Sequence, residues 1–187
     1  QARSGAGRVW SRFRGNPVVD TRLSGNWDAG AVRAPTALLD EGGYRMWYAG
    51  AGPREQIGLA FSEDGILWHA LNDRPVLSSG AAGAWDGEGV SEPVVLRAPD
   101  GYRMYYAGFD GQRWRIGLAT SEDGISWTKR AAPVLQGDAA AFDAGGARSP
   151  FVHYDGHRYR MWYSATDGIA ATPRIGLAYS LDGIQWH

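Results

Sequence analysis

Three near-identical repeats fill this chain, and they constrain its fold more than any other feature. The pattern Ser-x-Asp-Gly-Ile-x-Trp occurs at residues 62–68, 121–127 and 180–186, with a step of 59 residues. A fixed step of this length is typical of repeat architectures, in which each repeat is one supersecondary unit that packs on its neighbours. Side chains that recur in all three repeats are therefore expected to build the scaffold. Function is expected where the repeats differ.

Each repeat predicts four short β-strands. In the first repeat, residues 36–39 and 57–61 are short apolar runs, residues 44–49 are rich in aromatics, and residues 66–69 follow an Asp-Gly turn. Capped runs with the apolar spacing of a helix do not occur in the sequence. Four antiparallel strands in every repeat predict an all-β fold, a β-propeller with three four-stranded blades in this chain. The predicted blades are residues 11–69, 70–128 and 129–187, and residues 1–10 are predicted as the remnant outer strand of a preceding blade.

The aspartate of the repeated Ser-x-Asp-Gly turn is predicted to be structural. Its carboxylate can accept hydrogen bonds from backbone amides of its own turn, and the glycine can adopt backbone angles that other residues avoid. The turn resembles the Asp-box of sialidases, with one residue fewer before the Trp. Because they repeat unchanged, two sets of side chains are assigned to the scaffold: the turn aspartates Asp64, Asp123 and Asp182, and the arginines Arg45, Arg103 and Arg160.

The bulk composition excludes several classes of partner. The chain carries 19 Lys and Arg against 20 Asp and Glu, so it lacks the basic footprint of a protein that binds nucleic acid or anionic lipid. No apolar run approaches the roughly 20 residues that cross a bilayer. Neither nucleic acid nor a membrane is therefore predicted as a partner. Nine Trp and nine Tyr suit a packed core and also suit stacking against sugars.

Cofactor and compartment are less constrained by the sequence. The chain has no Cys, which excludes disulfides and thiolate ligands but fits any redox compartment, so no localisation is predicted. His69 and His153 have no second potential ligand at a sequence spacing typical of metal sites, so no metal site is predicted. No cofactor is predicted either, and whether a central cation is bound stays open.

Three blades do not close a propeller, which typically has four to eight. The two end faces would be strongly apolar and uncovered. Either the chain is part of a longer propeller, or identical chains associate so that their blades complete a ring, for example two chains making six. The in-phase ends of the chain favour the homo-oligomer. A first residue of Gln rather than Met keeps open a processed, truncated or engineered segment whose blades self-assemble.

Function is expected where the second repeat departs from the other two. Glu92 is the only carboxylate among the three residues that directly precede the strand prolines. Glu88 stands where the other repeats carry Gly30 and Gly145. In a blade these positions lie near the central channel, where two carboxylates can form an acid/base site, so Glu92 and Glu88 are the predicted catalytic residues. The alternative is that both are solvated loop residues or ion-pair partners.

Substrate-binding residues are predicted beside these carboxylates. Arg33 and Arg148 come from the neighbouring blades, and a guanidinium beside a carboxylate favours its ionised form, which suits a base or a transition-state stabiliser more than an acid. The loops between second and third strands differ among the repeats, and variable loops on a repeated frame carry specificity. They supply an aromatic platform and polar groups of the kind that sugar recognition requires: Trp114, Asp110, Arg113 and Asp167.

The order of these motifs resembles that of the five-bladed propeller glycosidases. The resemblance rests on Asn-Pro-Val-Val at 16–19, Trp-Asp at 27–28, the strands at 44–48 and 57–60, and the Asp-Gly-Ile-x-Trp turn. The superfamily contains arabinanases, levansucrases and invertases, with family 43 hydrolases and the related family 130 mannoside phosphorylases. The resemblance implies a propeller fold and an enzyme that acts on glycosides.

The resemblance also implies a catalytic set: an Asp base or nucleophile, a second Asp in an Arg-Asp-Pro context, and a Glu general acid. The Ser-Glu-Pro at 91–93 resembles the Arg-Asp-Pro element, whereas the matching residues of the other blades are Ala34 and Ser149. The full set of three carboxylates is thus not visible in this chain. Family 130 implies that basic side chains hold phosphate, for which Arg33 and Arg148 are the candidates.

The leading hypothesis is a glycoside hydrolase or phosphorylase that cleaves a glycosidic bond by carboxylate general acid/base catalysis. One alternative is a non-catalytic propeller that binds carbohydrate or another protein. The other is a truncated or engineered segment that self-assembles.

Overall fold

The computed structural model describes residues 11–23, 25–138, 140–168 and 172–187 of the chain. Within these ranges the chain forms eleven β-strands and no helix, so the all-β prediction is confirmed. It follows that the described residues include no helix with the length and apolarity to span a membrane. The predicted remnant strand of residues 1–10 lies outside the described residues.

Each repeat folds as an antiparallel meander, in which strands that follow each other in sequence are neighbours in the sheet. The first repeat contains β1 (Ala31–Asp40), β2 (Gly43–Ala51), β3 (Glu55–Ser62) and β4 (His69–Ala70). The second contains β5 (Gly89–Ala98), β6 (Gly101–Phe109), β7 (Trp114–Ser121) and β8 (Thr128–Lys129). The third contains β9 (Gly146–Tyr154), β10 (Tyr159–Thr166) and β11 (Arg174–Ser180). One parallel pair between Glu55 and Gly89 joins β3 to β5, so the first two repeats share one sheet and the third forms another.

Two strand boundaries differ from the prediction. β1 begins at Ala31 rather than at residue 36, because its pairing with β2 continues on both sides of an irregularity between Arg33 and Thr36. The strand predicted over residues 66–69 is reduced to the two residues of β4. The reason is that residues 66–68 belong to the preceding turn, whose amides bind a side chain instead of a strand.

The turn before β4 is built around the Asp64 carboxylate. Its Oδ1 accepts hydrogen bonds from the amides two and three residues further on, at 2.8 and 2.9 Å, and Gly65 has a φ of +76°. Asp123 and Asp182 accept the equivalent pairs of amide hydrogen bonds in the other two repeats. Each of these carboxylates is therefore engaged by its own turn and shapes the scaffold.

These turns predict a loss of stability in acid. Hydrogen bonds from the amides of Ser126 and Ile125 lower the pKa of Asp123 to about 2, below the value of about 3.9 for an unfolded chain. The folded state then binds fewer protons than the unfolded state, so this contribution is complete above about pH 4 and is lost as the pH falls toward about 2. We expect the free energy of unfolding, measured by urea denaturation, to fall over this range. The Asp123→Asn variant has no carboxylate to titrate at this position, so its free energy of unfolding should fall less steeply with decreasing pH. Equal slopes for the two proteins would contradict the prediction.

Neighbouring repeats are tied together by hydrogen bonds from the second strand of one repeat to the turn of the next. The Arg45 guanidinium donates to the Asp123 carbonyl, and Trp47 Nε1 donates to the Gly124 carbonyl at 3.0 Å. The next boundary shows the same arrangement, with Arg103 donating to the Asp182 carbonyl at 2.6 Å and the Tyr105 hydroxyl donating to the Gly183 carbonyl at 2.9 Å. The repeated arginines of the first two repeats thus hold the scaffold together.

Apolar side chains fill the space between successive repeats. The first core packs Trp47, Ile57 and Leu59 of the first repeat against Tyr102 and Met104 of the second, all at most 3% exposed. A second core lies between the second and third repeats, and its buried members include Tyr105, Ile116, Leu118, Val152 and Met161. This packing brings β5, the first strand of the second repeat, into contact with β1 of the first repeat and with β9 of the third.

Candidate functional site

A strained residue interrupts the first strand of every repeat. Ala34, Glu92 and Ser149 directly precede the strand prolines and have positive φ values of 49°, 54° and 51°. A left-handed backbone costs a non-glycine residue roughly 1–2 kcal/mol, and such strain clusters at functional sites. The strand register shifts at the same place in each repeat. Of the three equivalent positions, the one in the second repeat carries a charged side chain.

Glu92 binds the third repeat through its carboxylate. Oε1 accepts hydrogen bonds from Nε and Nη2 of Arg148 at 3.1 and 2.5 Å, and Oε2 accepts one from the Ser149 amide at 2.7 Å. The Glu92 side chain is largely buried, whereas Arg148 is more open to solvent. Charge-assisted hydrogen bonds are about twice as strong as neutral ones, so they fix the orientation of the carboxylate.

Arg148 is itself held against an aromatic pair. Its guanidinium carbon lies 4.4 Å from the ring centroid of Trp114, and the Phe109 ring stacks on Trp114 at a centroid distance of 4.8 Å. The negative face of an indole ring attracts a guanidinium. Trp114, predicted as an aromatic platform for sugar, therefore also positions the guanidinium that binds Glu92.

We expect the contact between Trp114 and Arg148 to be measurable as a coupling energy. Trp114→Ala and Arg148→Ala should each lower the free energy of unfolding, and the double variant should lower it by about 0.5–1 kcal/mol less than the sum. Urea denaturation of the four proteins of this cycle provides the measurement. A coupling of zero within error would show that the ring does not hold the guanidinium.

Glu92, Trp114 and Arg148 line one cavity of about 380 Å³ between the second and third repeats. Three of its other lining residues carry hydroxyls: Ser149, Ser164 and Thr166. The remaining lining residues are small: Gly145, Gly146, Ala165 and Pro173. The volume falls within the usual range of small-molecule sites, about 300–1,000 Å³. A carboxylate, a guanidinium, an indole ring and hydroxyls together suit a ligand with many hydroxyl groups.

A second cavity of about 380 Å³ lies beside the turn of the second repeat, lined by Glu122 and Asp123 among others. Asp123 is already bound by two amides of its own turn, and the same turn occurs in the other repeats. We therefore assign the candidate site to the cavity around Glu92.

Two predicted site residues lie elsewhere, one within the first repeat and one at the boundary between the first and second repeats. Arg33 forms an ion pair with Glu55, and a carboxylate oxygen of Glu88 lies 3.6 Å from the Arg54 guanidinium. Neither Arg33 nor Glu88 lines the cavity around Glu92. The two predicted catalytic carboxylates are thus not brought into one cavity, and Glu88 has an ion-pair partner.

Of the four predicted loop residues, Trp114 lines this cavity, and Asp110, Arg113 and Asp167 do not. Asp110 accepts hydrogen bonds from two backbone amides of its loop and from the Arg115 guanidinium, at 2.6–2.8 Å. Burial works to raise the pKa of Asp110, but these hydrogen bonds outweigh it and lower the pKa to about 2. Asp167 pairs with Arg174 at 3.3 Å, and Arg113 is exposed. These three residues thus have partners or positions outside the cavity around Glu92.

Sequence comparison finds curated relatives, although no protein-family model matches the chain. The chain is 35% identical over 134 residues to an uncharacterized protein of Mycobacterium tuberculosis strain H37Rv, a match that covers 66% of this chain and 42% of that protein. It is 30% identical over 132 residues to a 1,2-beta-oligomannan phosphorylase of Thermoanaerobacter sp. strain X514, with coverages of 64% and 43%. The chain thus spans less than half the length of these relatives.

Solved structures superimpose on most of the chain. A family 117 glycoside hydrolase from Zobellia galactanivorans matches with a TM-score of 0.74 over 90% of this chain and 59% of that chain, at 18% identity. A structure from the family 130 mannoside phosphorylases and glycoside hydrolases matches with a TM-score of 0.72 over 94% and 56%, at 21% identity. The chain therefore shares the fold of part of these glycoside hydrolase structures.

Glu55 is a residue near the inner ends of the strands that sequence reasoning missed. It begins β3 as Trp114 begins β7, and its carboxylate pairs with Arg33. A signal was available, because the equivalent residue of the third repeat is Pro173 and the position therefore differs in all three repeats. In the described part of the fold, no three His, Cys, Asp or Glu side chains lie together in a way that would hold a metal ion.

Proposed function

We propose that this chain is a portion of a β-propeller enzyme that cleaves a glycosidic bond at the cavity between its second and third blades. The proposed blades are residues 11–69, 70–128 and 129–187. Three antiparallel meanders with equivalent contacts at both boundaries support this architecture. The similarity in fold to glycoside hydrolases and in sequence to a phosphorylase supports the reaction class.

The observation that carries the proposal is the placement of Glu92. Its carboxylate is the one charged acid at the strained pre-proline position, and it borders a cavity of suitable volume. Arg148 and the Ser149 amide hold it as a hydrogen-bond acceptor. A carboxylate in this state can take a proton from an attacking nucleophile or stabilise the positive charge of an oxocarbenium-like transition state.

Cleavage also needs a proton donor, and Glu88 is the proposed one within this chain. Glu88 and Glu92 are four residues apart on an extended segment, so their Cα atoms are separated by about 13 Å at about 3.3 Å per residue. Glycosidases hold their two carboxyl groups about 5–9.5 Å apart. In this role the Glu88 carboxylate leaves Arg54 and turns toward Glu92, whose own orientation Arg148 and the Ser149 amide fix.

The proposed substrate is a β-1,2-linked mannoside. This choice rests on the 1,2-beta-oligomannan phosphorylase among the relatives and on the family 130 structure, from a family that contains glycoside hydrolases targeting β-1,2-mannosidic linkages. Arg148 and Trp114 would contact the sugar within the cavity. The remaining predicted substrate-binding residues are proposed to act at the rim: Arg33, Asp110, Arg113 and Asp167.

An activity screen tests the proposal directly. β-1,2-Mannobiose and chromogenic mannosides, arabinosides, xylosides and fructosides would be offered to the folded chain with and without inorganic phosphate. Release of mannose supports hydrolysis, and phosphate-dependent release of mannose 1-phosphate supports phosphorolysis. A folded chain that cleaves none of these substrates would contradict the proposed activity.

A second candidate function is carbohydrate binding without cleavage. One observation favours it: among the described residues that line the cavity, Glu92 is the single carboxylate, and it is already paired with Arg148. Binding on a glycan array without turnover in the screen would select this alternative.

A further inference from the structure

The cavity of about 380 Å³ beside the turn of the second repeat is lined by groups that the scaffold does not use. It lies wholly within the second repeat, which has a neighbouring repeat on each side. Two of its lining residues serve the turn, because the Ser121 hydroxyl donates to the Asp123 carboxylate at 2.9 Å. The other lining residues each carry a hydroxyl or a carboxylate: Asp100, Thr120, Glu122, Ser126 and Thr128.

A pair of threonines keeps this cavity open. Thr120 of β7 lies opposite Thr128 of β8. In the other two repeats an aromatic residue lies opposite a histidine at the equivalent place: Phe61 with His69, and Tyr179 with His187. Two threonines fill less space than an aromatic ring and an imidazole, so a space remains that the larger pair would occupy. Ser126 follows the same trend, since the other repeats carry Leu67 and Gln185 at its position.

The polar groups of this lining are free to bind a ligand. Within the described ranges, four of the side chains form no hydrogen bond or ion pair with the protein, and all four are exposed: Asp100, Thr120, Glu122 and Thr128. The described residues that line the cavity include no Lys, Arg or His. A ligand must therefore bring hydrogen-bond donors of its own, because carboxylates only accept.

A saccharide matches this set of groups better than a cation does. A threonine hydroxyl both donates and accepts, and so does a sugar hydroxyl, whereas an ammonium group offers the threonines no acceptor. A metal ion is not favoured either, because in the described chain no three His, Cys, Asp or Glu side chains are grouped so as to hold one. The volume of about 380 Å³ lies within the usual range of small-molecule sites.

We propose that this cavity is a second saccharide-binding site, which holds a part of the substrate away from Glu92. Asp100 and Glu122 accept hydrogen bonds from sugar hydroxyls, and Thr120 and Thr128 exchange hydrogen bonds with the same ring. Glu92 lies in β5 and Asp100 in the turn after it, so at about 3.3 Å per residue they are about 25 Å apart. The site therefore acts on long oligosaccharides, whose attachment at two places raises their effective concentration at the Glu92 cavity.

The saccharide class of this ligand rests on the proposed function, whereas binding at the second site needs neither Glu92 nor turnover. NMR titration of the folded chain with β-1,2-mannotetraose tests the site residue by residue. The amide signals of Thr120, Glu122 and Thr128 should shift, independently of any shifts at the cavity around Glu92. A response of these signals to spermidine but not to the saccharide would overturn the proposal.

A variant with a filled cavity provides the sharpest test. Thr120→Phe combined with Thr128→His introduces the pair of the first repeat, which the same scaffold accommodates there. The new ring has a neighbour to pack on, because Arg103 lies opposite residue 120 as Arg45 lies opposite Phe61. This double variant should fold as the wild type does and should lose the saccharide response at residues 120–128.

Glu122→Gln tests the hydrogen bonding without changing the shape of the cavity. The affinity of this site for the saccharide should fall about tenfold or more, because hydrogen bonds to charged groups are the stronger ones. Glu63→Gln is the matched control, since Glu63 is exposed at the equivalent place of the first repeat and does not line this cavity. It should leave the affinity within about twofold of the wild-type value.

The outcomes separate this site from the proposed enzymatic activity. Saccharide shifts at residues 120–128 without turnover of any substrate would support the site and contradict the activity. Turnover with no shifts at these residues would overturn the site, and so would shifts that persist in the filled variant or an unchanged affinity in Glu122→Gln. A wild-type chain with no saccharide response at all would overturn it as well. Circular dichroism checks the folding of each variant, and Glu122→Gln decides if the filled variant does not fold.

Discussion

Glu92→Gln is expected to lower the turnover of a β-mannoside by about 10²–10⁴-fold. Glutamine keeps the size of the side chain and one oxygen that can accept from Arg148, but it can neither take a proton nor carry the negative charge that a cationic transition state requires. The chain should fold as before, because the strained backbone at this position also accommodates Ala34 and Ser149. Steady-state rates with and without phosphate provide the measurement.

Two further variants accompany Glu92→Gln: one is a control outside the cavity, and the other tests the proposed proton donor. Glu63→Gln changes an exposed glutamate beside a scaffold turn and should leave turnover within about twofold of the wild-type value, since surface changes away from a site are usually small. Glu88→Gln tests the proposed proton donor and should also reduce turnover, and unchanged turnover would exclude that role. An active Glu92→Gln enzyme would remove Glu92 from the mechanism.

Trp47→Ala is expected to lower the free energy of unfolding by about 3–5 kcal/mol. The side chain is completely buried between the first and second repeats, and its Nε1 donates to the Gly124 carbonyl. Truncation would leave a cavity in the core at this boundary and remove the partner of a buried carbonyl. Urea denaturation followed by tryptophan fluorescence or circular dichroism measures the loss.

Trp162→Ala is the matched control at the equivalent position of the third repeat. Its side chain is 37% exposed in the isolated chain, so the same truncation should cost no more than about 1–2 kcal/mol at concentrations where the protein is monomeric. Equal costs for the two variants would show that the boundary between the repeats does not determine the stability of the chain.

The fold was largely predictable because the features that define it are determined by residues within a single repeat. Strand order, the all-β class and the turn built on Asp64 each depend on residues within one repeat, and they recur with the motif. The errors arose where side chains compete with strand pairing. Residues 66–68 have a strand-like composition, but the Asp64 carboxylate binds two of their amides, and the predicted strand is therefore shortened.

The candidate site was predictable only in part. Glu92 stood out because its repeat differs from the other two at that position, and Arg148 was predicted beside it as a residue of the neighbouring repeat. The structure brings the two together. The pairing of Glu88 with Arg54 depends instead on how a loop of one repeat approaches the next repeat. That approach is set by packing between repeats, and no pattern within a single repeat encodes it.

The left-handed residue before each strand proline also bears on how such a protein can change. All three repeats already accommodate this unfavourable backbone, including the two in which the side chain is Ala34 or Ser149. A carboxylate introduced at either place would therefore add no new conformational cost. Acidic chemistry can in this way be relocated among the repeats during evolution, or redesigned in the laboratory, by altering single codons while the framework stays the same.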